Sequence, residues 1–145
     1  MFKLKKIFNK HNNAPELEIQ SMDYDSIDER DIIYCFHDGI LTSRRPENGD
    51  TALFYMACET VNPKDPFRLV KCYRITSDML FEAYCSSPLE PKCGQRFVLV
   101  ADTQGNGFSR VETATDDQDS DGYYAEISND WKNTKKVLVR LHCKQ

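Results

Sequence analysis

Short apolar segments separated by turn-forming residues make up most of this 145-residue sequence. Phe67–Ile75 alternates as a strand does, and Arg96–Asp102 and Phe108–Thr115 are strand-like segments joined by a glycine-containing turn. Tyr123–Ser128 and Lys136–His142 have the same character. Since strands outnumber helices and most connections are short, we expect an α+β fold. It would be a single domain, mainly antiparallel β-sheet, with one or two short helices.

The sequence predicts helix in two places. Ser77 and Asp78 can cap a helix over Met79–Cys85, with acid in the first turn where the helix dipole favours it. A helical turn is expected around Trp131. Residues 52–61 fit either helix or strand, because their apolar spacing suits both.

Residues 26–38 also support two interpretations. Ser26-x-x-Glu29 resembles a capping box for a helix. Alternatively, Ile32–His37 is a strand that turns at Asp38-Gly39 into Ile40–Arg44. We favour the hairpin, because isoleucine, tyrosine and phenylalanine prefer strands.

Residues 1–13 carry four lysines and no acid, so we interpret them as a basic N-terminal arm or linker before one domain at 14–145. Leu4, Ile7 and Phe8 would share one face of a helix and could give residues 1–10 weak contact with a membrane. A segment that short is marginal as an isolated helix, so membrane binding is not expected beyond such contact.

The six cysteines are expected to be reduced, and most of them buried as small core residues. The N-terminus lacks the apolar stretch of a secretory signal, and no apolar run is long enough to span a bilayer. Both observations predict a cytoplasmic protein, where thiols stay reduced.

Acidic residues are concentrated between Pro15 and Asp31, where seven acids accompany only Arg30. Such a segment attracts basic partners and repels phosphates, which argues against nucleic acid as a ligand. We assign partner binding to four of its carboxylates: Asp23, Asp25, Asp28 and Glu29.

Asp117, Asp119 and Asp121 alternate before Gly122, as the first half of a calcium loop does. The twelfth position is Ser128, where an EF-hand has a bidentate glutamate. These three carboxylates are therefore the candidate metal ligands, Ca²⁺ is the only cofactor suggested, and a weak site is expected.

Catalytic groups are harder to identify. Cys35 and His37 would share a strand face, whereas His142 and Cys143 would point to opposite faces, and no third group orients either pair. The sequence contains no Cys-x-x-Cys pair, so it does not indicate a structural zinc site. The sequence therefore predicts a protein that is not an enzyme.

The sequence favours a small acidic binding protein that neutralises a basic protein partner, as an inhibitor or immunity-type protein does. One alternative is a calcium-binding domain that uses Asp117–Gly122. The other is a small cysteine-dependent enzyme.

Overall fold

A computed structural model describes residues 2–8, 15–21, 27–35, 41–42, 53–61, 69–101, 107–115 and 119–142. Within these ranges the chain forms eleven strands and one short helix, α1 (Trp131–Thr134). The strands are β1 (Lys3–Ile7), β2 (Glu18–Ser21), β3 (Ile32–Cys35), β4 (Leu41–Thr42), β5 (Leu53–Ala57), β6 (Leu69–Arg74), β7 (Met79–Tyr84), β8 (Arg96–Ala101), β9 (Phe108–Thr113), β10 (Gly122–Ile127) and β11 (Lys136–Leu141). The structure is thus mostly antiparallel β-sheet, as predicted, and it supports the α+β class only to the extent of one four-residue helix.

The chain divides into two compact units. Unit 1 contains Met1–Asn12, Ser77–Val100 and Ser109–His142. Unit 2 contains Asn13–Thr76, Ala101–Phe108 and Cys143–Gln145. The boundary that the sequence predicts between residues 13 and 14 lies outside the described residues.

Unit 1 is built on strands in the order β1-β7-β11-β10-β8-β9. Alternate residues of β7, β10 and β11 are buried, because one face of an antiparallel sheet covers the core. Phe81, Val139, Tyr124 and Phe97 lie on that face, and each is fully buried. The helix α1 connects β10 to β11 and buries Trp131, in agreement with the predicted helical turn.

The helix predicted at Met79–Cys85 is wrong, because residues 79–84 form β7. β7 pairs with β1 on one side and with β11 on the other. Met79, Phe81 and Ala83 are buried, which is the period of two expected for a strand with one face on a core. Pairing on both sides satisfies its backbone, so tertiary contacts override the local capping pattern.

The N-terminal segment is a strand and not an amphipathic helix. β1 pairs with β7 with a bulge between Leu4 and Lys6. Phe2, which precedes the strand, is fully buried. The backbone N–H of Phe8 donates to the carbonyl of Asp78 at 2.9 Å, which continues the pairing beyond the strand.

Unit 2 is built on strands in the order β3-β5-β6-β2, with β4 paired to β3. Its buried cluster consists of Ile27, Tyr55, Ala57, Val61, Val70 and Cys72. β5 is buried on both faces, since Phe54 and Met56 are covered as well as Tyr55 and Ala57. Central strands of this kind resemble buried helices in sequence, which explains the ambiguity over residues 52–61.

The hairpin interpretation of residues 32–44 is confirmed for its strands. Tyr34 pairs with Thr42 and Cys35 with Leu41, in antiparallel register. The turn itself, residues 36–40, lies outside the described residues, as does Ser26 of the alternative capping box.

Candidate functional site

The acidic segment enters the described structure at Ile27, so Asp23 and Asp25 lie outside it. Ile27 forms a two-way backbone bridge with Val61, with N···O distances of 3.3 and 2.8 Å. The next residues turn tightly, and the backbone N–H of Glu29 donates to Thr60 Oγ1 at 3.1 Å. Hydrogen bonds to Val61 and Thr60 therefore hold this turn in place.

Arg30 completes this turn in the left-handed region, with φ of 71°. Its backbone N–H donates to the carbonyl of Ala57 at 2.8 Å, so the strained conformation is fixed against the end of β5. The turn leaves Asp28 half-buried and Glu29 exposed. Two of the four predicted partner-binding carboxylates thus occupy a defined position at the surface of unit 2.

The structure adds a carboxylate that the sequence did not indicate. Glu59 is exposed, and its Oε1 accepts a hydrogen bond from the backbone N–H of Lys71 at 2.8 Å. The N–H of Cys58 donates to the carbonyl of Lys71 at 2.8 Å. Glu59 therefore lies beside β6, 30 residues along the chain from Glu29, and only strand pairing brings the two carboxylates into one region.

An apolar surface lies on β2 and β6. Ile19 is opposite Lys71, and Leu69 precedes Lys71 by two residues along β6, so these three residues share one face of the strand pair. Ile19 is 69% exposed and Leu69 is 57% exposed, and Leu17, immediately before β2, is 52% exposed. We call this surface, Leu17, Ile19, Leu69 and Lys71, the β2–β6 face.

The opposite side of β6 is entirely different, because Val70 and Cys72 are fully buried in the core of unit 2. Of the segment Phe67–Ile75, residues 67 and 68 lie outside the described part, and the predicted alternation is confirmed over Leu69–Arg74, although its outward residues are not all polar. Scattered exposed apolar side chains are ordinary, whereas a contiguous apolar surface with a polar rim is typical of a protein-binding site.

Three charged residues of unit 2 act on the thiol of Cys58. Burial raises the pKa of its thiol, Lys71 opposes that shift, and Glu29 and Glu59 add to it. Both glutamates and the lysine are therefore within electrostatic reach of this half-buried sulfur. A catalytic cysteine needs a lowered pKa, so this environment does not activate the thiol.

The remaining described cysteines include no disulfide. Cys72 and Cys85 are buried, as the sequence predicts, whereas Cys93 is exposed. The Cys85 thiol lies 3.5 Å from the Tyr124 hydroxyl, which lies 3.1 Å from Thr113 Oγ1. This network is internal to the core of unit 1. The predicted Cys35–His37 and His142–Cys143 pairs involve side chains that lie outside the described part.

The aspartate loop is described only in part, since Asp117 lies outside the described residues. Asp119 is exposed, but Asp121 is buried, and its Oδ2 accepts a hydrogen bond from the backbone N–H of Leu99 at 2.7 Å. The N–H of Asp121 also donates to the carbonyl of Phe97 at 2.8 Å. Asp121 thus has a structural role between β8 and β10, and the calcium site stays a prediction.

Within the described ranges, no cluster of three or more His, Cys, Asp or Glu side chains is arranged to hold a metal ion. The helix found there is too short to cross a membrane. The sequence matches no protein-family model, and no match to it was found among curated proteins. The function is therefore inferred from the surfaces alone.

Proposed function

We propose that this protein is a cytoplasmic binding module that captures a basic protein through the β2–β6 face and the carboxylates beside it. One observation supports this proposal most directly: three large aliphatic side chains, two on the paired strands β2 and β6 and one immediately before β2, are more than half exposed. Exposing them to water has a free-energy cost of about 25 cal/mol per Å² of apolar area. Covering them with a partner recovers that free energy.

The charges define the partner. Glu59 accepts a hydrogen bond from the backbone N–H of Lys71, and Glu29 acts on the same Cys58 thiol as Glu59 and Lys71 do. The acidic segment also contains Asp23, Asp25 and Asp28. An apolar centre supplies most of the affinity of a protein interface, whereas charges at its rim increase the association rate and select a partner of opposite sign. The complementary surface would be an apolar patch surrounded by lysine and arginine, which fits the inhibitor or immunity-type role.

The apolar part of the proposal is tested by an Ile19→Ser, Leu69→Ser double variant. Partners are recovered from a lysate of the native host with immobilised protein and identified by mass spectrometry. We expect a basic protein to be retained by the wild type and lost by the variant. Leu89→Ser is the matched control, since Leu89 is 80% exposed and lies in a loop of unit 1. Equal retention by wild type and double variant would contradict the proposal.

The electrostatic part is tested by replacing Asp23, Asp25 and Asp28 with Asn and Glu29 with Gln. With the identified partner, association should slow by about tenfold or more at low ionic strength, and the difference should shrink towards about 1 M salt. Glu90→Gln, Asp119→Asn and Glu126→Gln together form a control on exposed carboxylates of unit 1. If this control slows association as much as the four-residue variant does, the acidic segment has no special part in steering.

A further inference from the structure

The sheet of unit 1 has an exposed face that carries positive charge. Its strand registers place five residues in one row across β1, β7, β11, β10 and β8: Lys6, Leu80, Arg140, Tyr123 and Arg96. Residues directly opposite on paired strands point to the same side, so all five side chains share one face. With neighbouring strands about 4.8 Å apart, the row spans about 19 Å.

We call the row and its neighbours on the same side the basic face. The neighbours are Lys3, Lys5, Glu82, Tyr84, Lys136, Leu138 and Glu126, placed there by register or by ion pairing. None of these residues is buried, whereas alternate residues of β7, β10 and β11 are buried in the core. The basic face is thus the solvent side of the sheet.

Positive charge predominates on the basic face. Of its described residues, six are lysine or arginine and two are glutamate. Glu82 is already paired, since its carboxylate oxygens lie 3.3 Å from Lys5 Nζ and 3.6 Å from Lys136 Nζ. Lys6, Arg140 and Arg96, which lie along the central row, are not part of these two ion pairs. They leave a positive strip with one exposed carboxylate, Glu126, near it.

Aromatic rings accompany these cations. Phe8 is 47% exposed, and its ring centroid lies 4.6 Å from Lys6 Nζ and 4.4 Å from Arg140 Cζ. Tyr123 lies in the row between Arg140 and Arg96, and its ring centroid is 6.1 Å from that of His142. Cations and partly exposed aromatic rings therefore lie within a few ångströms of one another.

We propose that the basic face binds single-stranded nucleic acid. A single strand offers phosphates to cations and unpaired bases to aromatic rings, and this face presents both groups. A duplex hides its bases, and its grooves admit a helix or a two-stranded ribbon but not a five-stranded sheet. Tyr123 is the ring best placed to stack a base, because arginines flank it on both neighbouring strands.

Net charge alone does not oppose this binding, although the sequence as a whole carries −4. Unit 1 holds 11 lysines and arginines against 10 acids, whereas unit 2 holds 8 against 13. The excess of acids thus belongs to unit 2, whereas the 11 cations and 10 acids of unit 1 give it a net charge of +1 by itself.

The ionic part of the inference is tested by titrating full-length protein into a fluorescent 12-nucleotide oligouridylate and measuring anisotropy. Lys6→Gln, Arg96→Gln removes two exposed cations of the row. Its affinity should fall at low salt, and the slope of log K against log salt should decrease by about 1.4, since each phosphate contact to a single strand contributes about 0.7. The control Lys92→Gln, Lys132→Gln removes two exposed lysines outside the sheet and should change neither the affinity nor the salt slope.

The stacking part is tested at Tyr123. Tyr123→Leu should weaken oligonucleotide binding by roughly tenfold or more with an unchanged salt slope, whereas Tyr123→Phe should keep most of the affinity. A 12-base-pair duplex should bind more weakly than the single strand. These readouts separate stacking from a general loss of folding, which thermal unfolding of each variant monitors.

The inference is overturned if the oligonucleotide does not bind or if the duplex binds as tightly as the single strand. It is also overturned if the Lys92→Gln, Lys132→Gln control weakens binding as much as Lys6→Gln, Arg96→Gln does. Binding only to vesicles that contain phosphatidylserine would also overturn it and would indicate a membrane surface instead. The Ile19→Ser, Leu69→Ser variant should bind oligonucleotide normally, so failure of this inference is distinguishable from failure of the proposed protein-binding role.

Discussion

The two units expose sheet faces of opposite chemical character. The basic face of unit 1 presents mainly lysine, arginine and aromatic side chains, together with the half-buried Leu80 and Leu138. The β2–β6 face of unit 2 presents Ile19 and Leu69 to solvent, and Glu59 accepts a hydrogen bond from the backbone N–H of its Lys71. Each face is the solvent side of strands whose other side is buried, so composition and not architecture distinguishes them.

This comparison shows why whole-chain composition is a poor guide to partners. A net charge of −4 describes neither unit, because one is nearly neutral with a basic face and the other is strongly acidic. Binding depends on the charges within about a Debye length of the contact. The packing, the carboxylates and the thiols differ between the two units, and substitutions at each of them test the comparison.

The largest effect is expected from Gly122→Val in the core of unit 1. A Cβ added at Gly122 would meet the backbone carbonyl of Arg140 and would lie 2.7 Å from Phe97 Cζ. The carbonyl cannot move without breaking the β10–β11 pairing, so destabilisation should reach or exceed the usual overpacking cost of about 1–3 kcal/mol. Chemical denaturation of the purified protein measures the free energy of unfolding.

Gly94→Ala is the matched control for that variant. No atom lies within 4 Å of a Cβ built at Gly94, but its φ is +88°. The only expected cost is therefore conformational, about 1 kcal/mol. If Gly94→Ala lowers the free energy of unfolding as much as Gly122→Val does, close packing between β8, β10 and β11 does not determine the stability of unit 1.

A smaller effect is expected from Asp121→Ala. This change removes the acceptor of the Leu99 N–H and leaves a buried donor unpaired, which costs about 1–3 kcal/mol. Asp119→Ala, at an exposed position, should stay within about 0.5 kcal/mol. Thermal unfolding with and without calcium distinguishes the roles. If calcium raises the midpoint of the wild type but not of either variant, the loop is an ion site and the structural explanation is incomplete.

The sequence predicted the strands well where one of their faces is polar. The outward and inward residues of Leu69–Arg74 follow directly from alternation, and the same holds for Lys136–Leu141. It failed at Met79–Tyr84, where Ser77 and Asp78 resemble a helix cap. The deciding contacts there come from β1 and β11, more than 50 residues away in both directions. Local propensity carries no information on such pairing.

The candidate sites were predictable to a lesser degree. The acidic run is visible in the sequence, but its union with Glu59 depends on the loop from Asp28 to Arg30 and on the β5–β6 pairing. The row from Lys6 to Arg96 combines residues from five separate segments, and its register depends on bulges in β1 and β10. A bulge moves every following side chain to the other face, and nothing in the sequence marks its position.

The smallest effect is expected at the Cys58 thiol. Glu29 and Glu59 raise the pKa of this group, and Lys71 lowers it, in addition to the larger contribution of burial. The thiolate is the reactive form, so reaction with a thiol reagent near neutral pH should accelerate in Glu59→Gln and slow in Lys71→Gln. Each change should be on the order of a few-fold, because a charge a few ångströms away near the surface is worth about 1 kcal/mol.

The exposed Cys93 is an internal control for these measurements, because it belongs to unit 1, whereas Cys58, Glu59 and Lys71 belong to unit 2. Mass spectrometry of labelled peptides follows both thiols in one sample, while Cys72 and Cys85 should label only after unfolding. The pH at which Cys58 reacts half-maximally should lie above that of an ordinary thiol and should move down in Glu59→Gln. If Glu59→Gln and Lys71→Gln change the reaction rate of the Cys58 thiol in the same direction, they act by opening the structure around β6. The electrostatic explanation of the Cys58 pKa is then wrong.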